Sequence, residues 1–273
     1  MSHRLILGKI TFALSLLFLM SFYPFFMEPS TLFAEASSIL DIDKDGRIIL
    51  ADGRQINAYR IDEASEKKYL KSYKDVNGEE VAPWITKLMK KFPGITMGEV
   101  LGITDYSMSG FVDYNKASRD KTMPIDISFR FMLSGMNKLP NFKGTVYRAD
   151  FFQEEVSKAQ VERRMNQYRE LLKSGKPFVS LAALSTTLAR TDKFGPDRMS
   201  MKMTLEMHNA VILEIKSLSG KRIEKFSASP AEEEVLFLPG TRFQIEKITE
   251  QVVPETSYNP FGKSYRIFMS EMK

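Results

Sequence analysis

The chain has 273 residues, of which 43% are hydrophobic and 27% are charged, a balance that suits a globular protein of one or two domains. It has no cysteine and only two histidines, His3 and His208. This excludes disulfides, thiolate metal sites and a cysteine nucleophile, and it argues against a histidine-based triad or zinc site. The net charge of +5 comes from scattered basic residues, so we do not expect nucleic-acid binding.

The N-terminus has the order of a secretory signal. A short basic stretch, MSHRLILGK, precedes the uncharged apolar run ITFALSLLFLMSF, and Ala34-Glu35-Ala36 forms an A-x-A cleavage pattern. The alternative is an uncleaved membrane anchor, because residues 10–27 could nearly span a bilayer, although Pro24 interrupts the run. We therefore predict a signal peptide over residues 1–36 and a secreted protein without stable membrane insertion after cleavage.

Residues 37–84 are predicted to be an accessory segment that begins with a small hairpin. Two turn signals, Asp45-Gly46 and Asp52-Gly53, lie between the apolar runs of this segment. The alternative is a calcium loop whose start is formed by Asp41, Asp43, Asp45 and Gly46. The twelfth position of that loop falls on Asp52, where a glutamate is usual, so the hairpin is the preferred interpretation.

Residues 62–120 are predicted to be mostly helical. In EEVAPWITKLMKKF, apolar residues recur at helical spacing, which predicts that Trp84 packs in the core. The stretch ISFRFMLSGMNKLPNFKGTVYRADFF then predicts a helix, a proline-bearing loop and a strand at residues 144–148. FFQEEVSKAQVERRMNQYRELLKSG predicts an amphipathic helix that is capped by Gly175. Its predicted apolar face consists of Val156, Ala159, Met165, Tyr168 and Leu172.

From Phe178 onward the pattern changes to short strands. SMKMTLEMH alternates strictly between apolar and polar residues, and AVILEI, EVLFL, RFQIEKI and SYRIFMSE follow between Gly, Pro and Ser turns. Helices that are followed by strands predict an α+β fold. We expect N-terminal helices and then a mainly antiparallel β core of two sheets.

The acidic run Glu232-Glu233-Glu234 precedes one of these predicted strands directly. In a strand, Glu232 and Glu234 point to one side and Glu233 to the other. Two carboxylates so placed could divide labour, one stabilising positive charge on a sugar carbon and the other taking a proton from an attacking group. Taken alone, the run is more typical of a solvated acidic turn before an edge strand.

Two further features could carry chemistry. Arg148 ends a predicted strand, where an arginine either clamps a phosphate or carboxylate or makes a structural ion pair. Ser185-Thr186-Thr187 follows an apolar strand, where the hydroxyls either hold a carboxylate in position or serve only as strand formers. Taken alone, the structural explanation is the commoner one for each.

In their order along the chain, these segments resemble the mono-ADP-ribosyltransferases of the Arg–Ser–Glu class, which include secreted bacterial toxins and vertebrate ectoenzymes. KLPNFKGTVYRADFF is similar to the family's arginine-bearing strand, and EEEVLFLPGTRFQI to its Glu-x-Glu loop. FVSLAALSTTL is similar to its Ser-Thr-Ser segment, with Thr187 in place of the last serine. ITDYSMSGFVDYN resembles the upstream segment, with Phe111 where tyrosine is common. The resemblance covers roughly residues 85–273, the predicted catalytic domain.

The resemblance implies that the protein splits NAD⁺ at the nicotinamide–ribose bond and passes ADP-ribose to a protein side chain, without a metal. Glu234 would stabilise the oxocarbenium-like sugar, Ser185 would orient Glu234, and Arg148 would clamp the diphosphate. The backbone of Ala149 would hold the nicotinamide amide. Further contacts with NAD would come from Tyr106, Asn115, Gln153, Glu154, Phe194 and Arg198.

The residue at position 232 implies the acceptor. Family members with Glu-x-Glu modify arginine, because a carboxylate can bond to a guanidinium and help to deprotonate it, whereas members with glutamine there modify other residues. Glu232 therefore predicts an exported, arginine-specific transferase, either a toxin or an effector, and Glu233 is assigned to solvent. The alternatives are a NAD glycohydrolase that uses the same site and an inactive secreted binding module. The intact catalytic residues argue against the binding module.

Overall fold

The structure is a computed structural model, and it describes residues 39–42, 47–50, 55–57, 61–77, 82–111, 114–115, 127–150, 157–188, 211–227, 230–253, 255 and 262–273. Residues 35–273 form one compact unit. Several sequence predictions lie outside the described residues. They are the signal peptide, the SMKMTLEMH strand, most of the calcium-loop alternative, and Gln153, Glu154, Phe194 and Arg198.

Three short strands come first: β1 (Ile39–Ile42), β2 (Arg47–Leu50) and β3 (Gln55–Asn57). β2 pairs antiparallel with both of its neighbours, so the predicted hairpin is present and extends into a three-stranded sheet. Asp41 pairs with Ile49 in this ladder, which fits the hairpin rather than the calcium loop.

A helical layer follows, consisting of α1 (Glu63–Asn77), α2 (Pro83–Lys91), α3 (Met97–Asp105) and α4 (Ile127–Lys138). A single π-helical turn, Tyr106–Gly110, continues α3 directly. α3 begins with a capping box, in which Thr96 Oγ1 accepts a bond from the Glu99 amide and the Glu99 carboxylate accepts one from the Thr96 amide. The capping box fixes the start of the helix that leads to Tyr106.

The predicted core position of Trp84 is wrong. Trp84 is 42% exposed, and α2 buries Ile85 and Leu88 instead. The helix begins at Pro83, so its inward stripe starts at Ile85 and the preceding tryptophan falls outside that stripe.

The helical layer buries its own apolar cluster, which includes Val100, Ile103, Phe129, Met132 and Leu133. α1 packs against this cluster through Tyr69, whose ring stacks on Phe131 with a centroid distance of 4.8 Å. The Tyr69 hydroxyl also lies 3.3 Å from Ser128 Oγ on α4. The accessory segment predicted from the sequence therefore shares a core with the helices that follow it.

The main sheet contains β4 (Asn141–Ala149), β5 (Phe178–Val179), β6 (Leu184–Thr187), β7 (Val211–Arg222), β8 (Glu234–Phe237), β9 (Arg242–Val252) and β10 (Lys263–Glu271). Its order is β4-β6-β8-β7-β10-β9-β5, with a further pairing of β4 and β7. All described pairings in it are antiparallel except β7–β10. The predicted α+β fold with a mainly antiparallel β core is confirmed.

The two predicted sheets are joined into one hydrogen-bonded network by β7. This strand extends well beyond AVILEI, to 12 residues. Residues 211–216 pair with β10, whereas Lys221 and Arg222 pair with β8. β4 runs along most of β7 and also touches β6, so β4, β6, β8 and β7 pair in a closed ring. The ring brings the ends of β4, β6 and β8 together.

α5 (Lys158–Ser174) connects β4 to β5 in sequence. The predicted Gly175 cap is present: Gly175 adopts a left-handed conformation with φ of 66°, which glycine tolerates without steric cost. The predicted apolar face is partly wrong. Met165 and Tyr168 are buried together with Val161, whereas Ala159 and Leu172 are exposed. The cap at Ser157 starts the helix after Val156, and the inward stripe therefore begins at Val161.

In the part of the chain that the structure describes, none of the helices combines the length and apolar character that crossing a bilayer requires.

Candidate active site

The acidic run and the Ser-Thr-Thr segment meet on neighbouring strands. β6 and β8 pair antiparallel, with Ser185 opposite Leu236 and Thr187 opposite Glu234. Ser185 Oγ donates a hydrogen bond of 2.5 Å to Glu234 Oε1. The structure thus brings together two side chains that are 49 residues apart and that the sequence singles out independently.

The turn before β8 is held by the same segment. A 3₁₀ turn spans Pro230–Glu232, and Glu233 then adopts a left-handed conformation with φ of 46°. Thr187 Oγ1 donates to the Glu232 carbonyl at 2.6 Å, and the Leu188 amide donates to the Glu233 carbonyl at 3.2 Å. The end of β6 and the residue that follows it therefore hold two successive carbonyls of the turn.

Strand alternation does not operate across this turn, which corrects the geometric argument made from the sequence. Only Glu234 is in β8, because Glu232 belongs to the 3₁₀ turn and Glu233 has left-handed backbone. The carboxylates of Glu232 and Glu234 are nevertheless close enough to repel, since the charge of Glu232 helps to raise the pKa of Glu234. Glu233 is half-buried rather than fully exposed to solvent.

Glu234 is only 8% exposed, and this burial raises its pKa to about 7. The hydrogen bond from Ser185 opposes the shift, the negative charge of Glu232 adds to it, and the positive charge of Arg148 opposes it. Desolvation also raises the pKa of Glu232, although this residue is exposed overall. A buried carboxylate whose pKa lies near neutrality is a typical property of an active site.

Arg148 connects β4 to the same cluster. Its Nη1 donates a hydrogen bond of 2.7 Å to the Ser185 carbonyl. Burial lowers the pKa of Arg148, with the negative charge of Asp150 as the largest opposing influence. Because an arginine stays protonated in proteins, Arg148 presents a half-buried cation beside Glu234.

The backbone of Ala149 faces the edge of β4 that lies away from β7. The next amide, that of Asp150, donates to the Val211 carbonyl of β7 at 3.0 Å. Backbone groups of successive residues in an antiparallel strand point to opposite edges. The amide and carbonyl of Ala149 are therefore directed away from β7, toward the edge on which β4 pairs with β6, and the residue is fully buried.

Tyr106 and Asn115 are brought together, with Tyr106 deep in the helical layer. Tyr106 is 1% exposed, and its hydroxyl accepts a hydrogen bond of 3.1 Å from Asn115 Nδ2. The Asn115 Oδ1 atom is buried and has no hydrogen-bond partner within the described part of the chain. The Tyr106 hydroxyl also contributes to the electrostatic environment of Arg148. Tyr106 is carried by the π-helical turn, a distortion that is frequent at functional sites.

Sequence reasoning missed a polar group beside Arg148. Asp150 follows β4 and binds Arg164 and Tyr168 of α5. Arg164 and Tyr168 are four residues apart, which places both on one helix face. This spacing is the sequence signal that could have indicated a polar cluster on α5. Among the residues the structure describes, no group of three His, Cys, Asp or Glu side chains could hold a metal ion.

This arrangement agrees with a family comparison. Residues 173–255 match the model of the NAD:arginine ADP-ribosyltransferases. This segment of the chain is therefore similar to the ADP-ribosyltransferase family. The matched residues contain β6, the acidic turn and β8, and hence Ser185, Glu232 and Glu234. The name of the family identifies NAD as the ADP-ribose donor of these enzymes.

Solved structures share the ADP-ribosyltransferase fold. The type III effector XopAI from Xanthomonas axonopodis pv. citri, solved without 70 N-terminal residues, has a TM-score of 0.52 and 18% identity over 79% of this chain and 90% of its own. The ADP-ribosyltransferase HopU1 of Pseudomonas syringae pv. Tomato DC3000 has a TM-score of 0.52 and 17% identity over 70% of this chain and 83% of its own. No curated protein matches the chain in sequence.

Proposed function

We propose that the chain is an exported enzyme that cleaves the nicotinamide–ribose bond of NAD⁺ and transfers ADP-ribose to an arginine of a target protein. The observation that carries the proposal is the buried Glu234 carboxylate, which Ser185 holds at 2.5 Å beside the exposed Glu232. The family match supports NAD as the donor. The signal peptide predicted at residues 1–36 and the fold shared with a type III effector support a role as a toxin or effector.

In the proposed reaction, NAD⁺ binds with its nicotinamide ribose against Glu234. The Arg148 guanidinium pairs with the diphosphate, and the backbone of Ala149 binds the nicotinamide amide. Nicotinamide leaves with the bonding electron pair, so positive charge develops on the anomeric carbon. The ionised Glu234 stabilises this charge, on the order of 3 kcal/mol for a preorganised group in a water-excluded site.

Glu232 completes the transfer to arginine in this proposal. Glu232 is exposed, so a guanidinium of a target protein can reach its carboxylate. An arginine nitrogen forms the new bond to the anomeric carbon, and its proton passes to Glu232. The raised pKa of Glu232 makes this carboxylate a better proton acceptor than a fully solvated one.

Labelled NAD⁺ tests the proposal when the protein is incubated with it in the presence and absence of agmatine, an arginine analogue. Labelled agmatine supports an arginine transferase, and free ADP-ribose alone supports the glycohydrolase alternative. If no NAD⁺ is consumed, the proposed function is wrong and the binding module gains support.

Two variants separate the roles of the glutamates. Glu234→Ala should abolish both transfer and hydrolysis, because the developing cation loses its carboxylate. Glu232→Ala should spare hydrolysis and lose transfer, because only the acceptor loses its base. Normal agmatine modification by Glu232→Ala would refute the assignment of the acceptor.

A further inference from the structure

Asp150 is a buried carboxylate held in a closed polar cluster at the end of β4. Its side chain is 7% exposed. Asp150 Oδ2 accepts from Arg164 Nε at 2.7 Å and from the Tyr168 hydroxyl at 2.9 Å, while Oδ1 accepts from Arg164 Nη2 at 3.2 Å. A bidentate hydrogen bond from a guanidinium fixes both the direction and the plane of a carboxylate.

The two partners of Asp150 are themselves immobilised on α5. The Arg164 guanidinium lies 4.9 Å from the ring centroid of Tyr168 and 5.8 Å from that of Phe178. Burial and the charge of Asp150 raise the pKa of Tyr168 well above its ordinary value, so its hydroxyl keeps the proton that it donates. The helix thus offers a rigid receptor for one carboxylate.

The same residue is fixed through its backbone. The Asp150 amide donates to the Val211 carbonyl of β7 at 3.0 Å. The peptide between Ala149 and Asp150 is therefore held by the sheet on one side and by α5 on the other. The two preceding residues are Arg148, whose guanidinium is bonded to the Ser185 carbonyl, and Ala149, whose backbone faces away from β7.

We propose that Asp150 is a positioning residue for NAD⁺ binding: its bonds to Arg164 and Tyr168 hold the end of β4 so that the Ala149 backbone and the Arg148 guanidinium face the dinucleotide. This inference rests on the proposed function. Asp150 acts through its neighbours and does not itself touch the substrate. Its negative charge also lies close enough to Arg148 to oppose the lowering of the pKa of that arginine by burial.

Steady-state kinetics of NAD⁺ cleavage by the full chain test the proposal. Asp150→Asn keeps the shape of the side chain but loses the charge-assisted bonds to Arg164. We expect its KM for NAD⁺ to rise about tenfold with a smaller change in kcat, because the binding groups lose their preset orientation. Tyr168→Phe removes one bond and keeps the ring, so its KM should change in the same direction by less.

Glu271→Gln is the matched control. Glu271 is also buried, at 8% exposure, and also accepts a bond from a hydroxyl, that of Ser219, together with bonds from the amides of Leu218 and Ser219, but it lies on β10. It should lower Tm and leave KM unchanged. An unchanged KM in both Asp150→Asn and Tyr168→Phe, with only a lower Tm, would show a purely structural role and overturn the inference.

The outcomes for the two proposals are distinguishable. A wild-type protein that consumes no NAD⁺ overturns the proposed function and this inference with it. An active wild type whose Asp150→Asn and Tyr168→Phe variants both keep the wild-type KM overturns this inference alone. If Asp150→Asn does not fold, Tyr168→Phe decides: a raised KM supports the inference, and an unchanged KM overturns it.

Discussion

Burial of the Glu234 carboxyl favours its proposed role in catalysis, but it makes the ionised form of this carboxyl unfavourable in the folded protein. Burial raises its pKa to about 7, while the Ser185 hydroxyl holds one of its oxygens in place. A fully solvated carboxylate would ionise readily but would face the sugar through water. The buried carboxylate ionises less readily, and its charge acts more strongly on a nearby cation because the surroundings are less polar.

The first prediction concerns the pH dependence of catalysis. The ionised form of Glu234 is the active one, so kcat/KM for NAD⁺ should rise with pH through about 7. Glu232→Gln removes a like charge that helps to raise the pKa of Glu234, and the midpoint should move to lower pH. Initial rates across neutral pH measure both. A flat wild-type profile, or an upward shift in the variant, would contradict this account.

The second prediction concerns stability. The carboxyl of Glu234 has a pKa of about 7 in the folded protein and an ordinary value of 4.5 in the unfolded chain. Between these values the folded state holds more protons, so stability falls as pH rises through this window. Glu234→Gln should therefore raise the free energy of unfolding by up to about 3 kcal/mol at about pH 8 and by little at about pH 5.

Urea denaturation of the wild type and the Glu234→Gln variant at both pH values measures this difference. Glu246→Gln is the control, because Ser270 and Lys216 lower the pKa of that exposed carboxyl and the substitution should bring no gain at the higher pH. An equal gain for Glu234→Gln at both pH values would show that ionisation is not the cause.

At the residue scale, features with a strong local sequence pattern can be predicted, whereas contacts that form only when a helix packs on the sheet are missed. The proximity of Ser185 and Glu234 follows from the order of the motifs, because both flank apolar strands of one sheet. For Asp150 the only sequence signal is the helical spacing of Arg164 and Tyr168, which does not reveal their carboxylate partner because the cluster forms only when α5 packs on the sheet. The exposed position of Trp84 also depended on where one helix begins.

At the scale of elements, the turn before β8 decides where the two catalytic candidates lie. The turn combines a 3₁₀ segment with left-handed backbone at Glu233, and Thr187 and Leu188 donate hydrogen bonds to its carbonyls at positions 232 and 233. Alternation along a strand could not predict this geometry, because a positive φ at a glutamate has no reliable sequence signature. The left-handed conformation costs a non-glycine residue on the order of 1 kcal/mol.

The third prediction tests this turn with a pair of substitutions. Glu233→Asn should keep activity and raise Tm slightly, because asparagine tolerates left-handed backbone. Glu233→Val should lower Tm and reduce agmatine transfer about tenfold, because a β-branched residue resists that conformation and displaces both glutamates. Thermal melts and transfer assays of the two variants measure this. Equal behaviour of the pair would mean that the turn conformation is unimportant.

At the scale of the whole molecule, the segment before the predicted catalytic domain is part of the helical core. Tyr69 of α1 stacks on Phe131 and lies next to Ser128 of α4. Sequence reasoning placed a boundary at residue 84 because the resemblance to the family begins there. The contacts of Tyr69 with α4 cross this position in the sequence, and the boundary stays a prediction.

The fourth prediction tests the contribution of α1. Tyr69→Ala should reduce the free energy of unfolding by about 2 kcal/mol, because a partly buried aromatic ring loses its contacts. Tyr69→Phe keeps the ring and isolates the smaller effect of the hydroxyl. KM for NAD⁺ should be unchanged in both variants at temperatures where they are folded. A raised KM would mean that residues 37–84 take part in binding.

The position of β10 has a consequence for how the protein is made. β10 follows all the other described strands in sequence, yet it lies between β7 and β9 and pairs with both. While a ribosome is still making residues 263–271, β7 and β9 have no neighbour on their shared side, and non-local pairing of this kind is slow. The part of the sheet that joins β7 to β9 can therefore form only after residues 263–271 have been made.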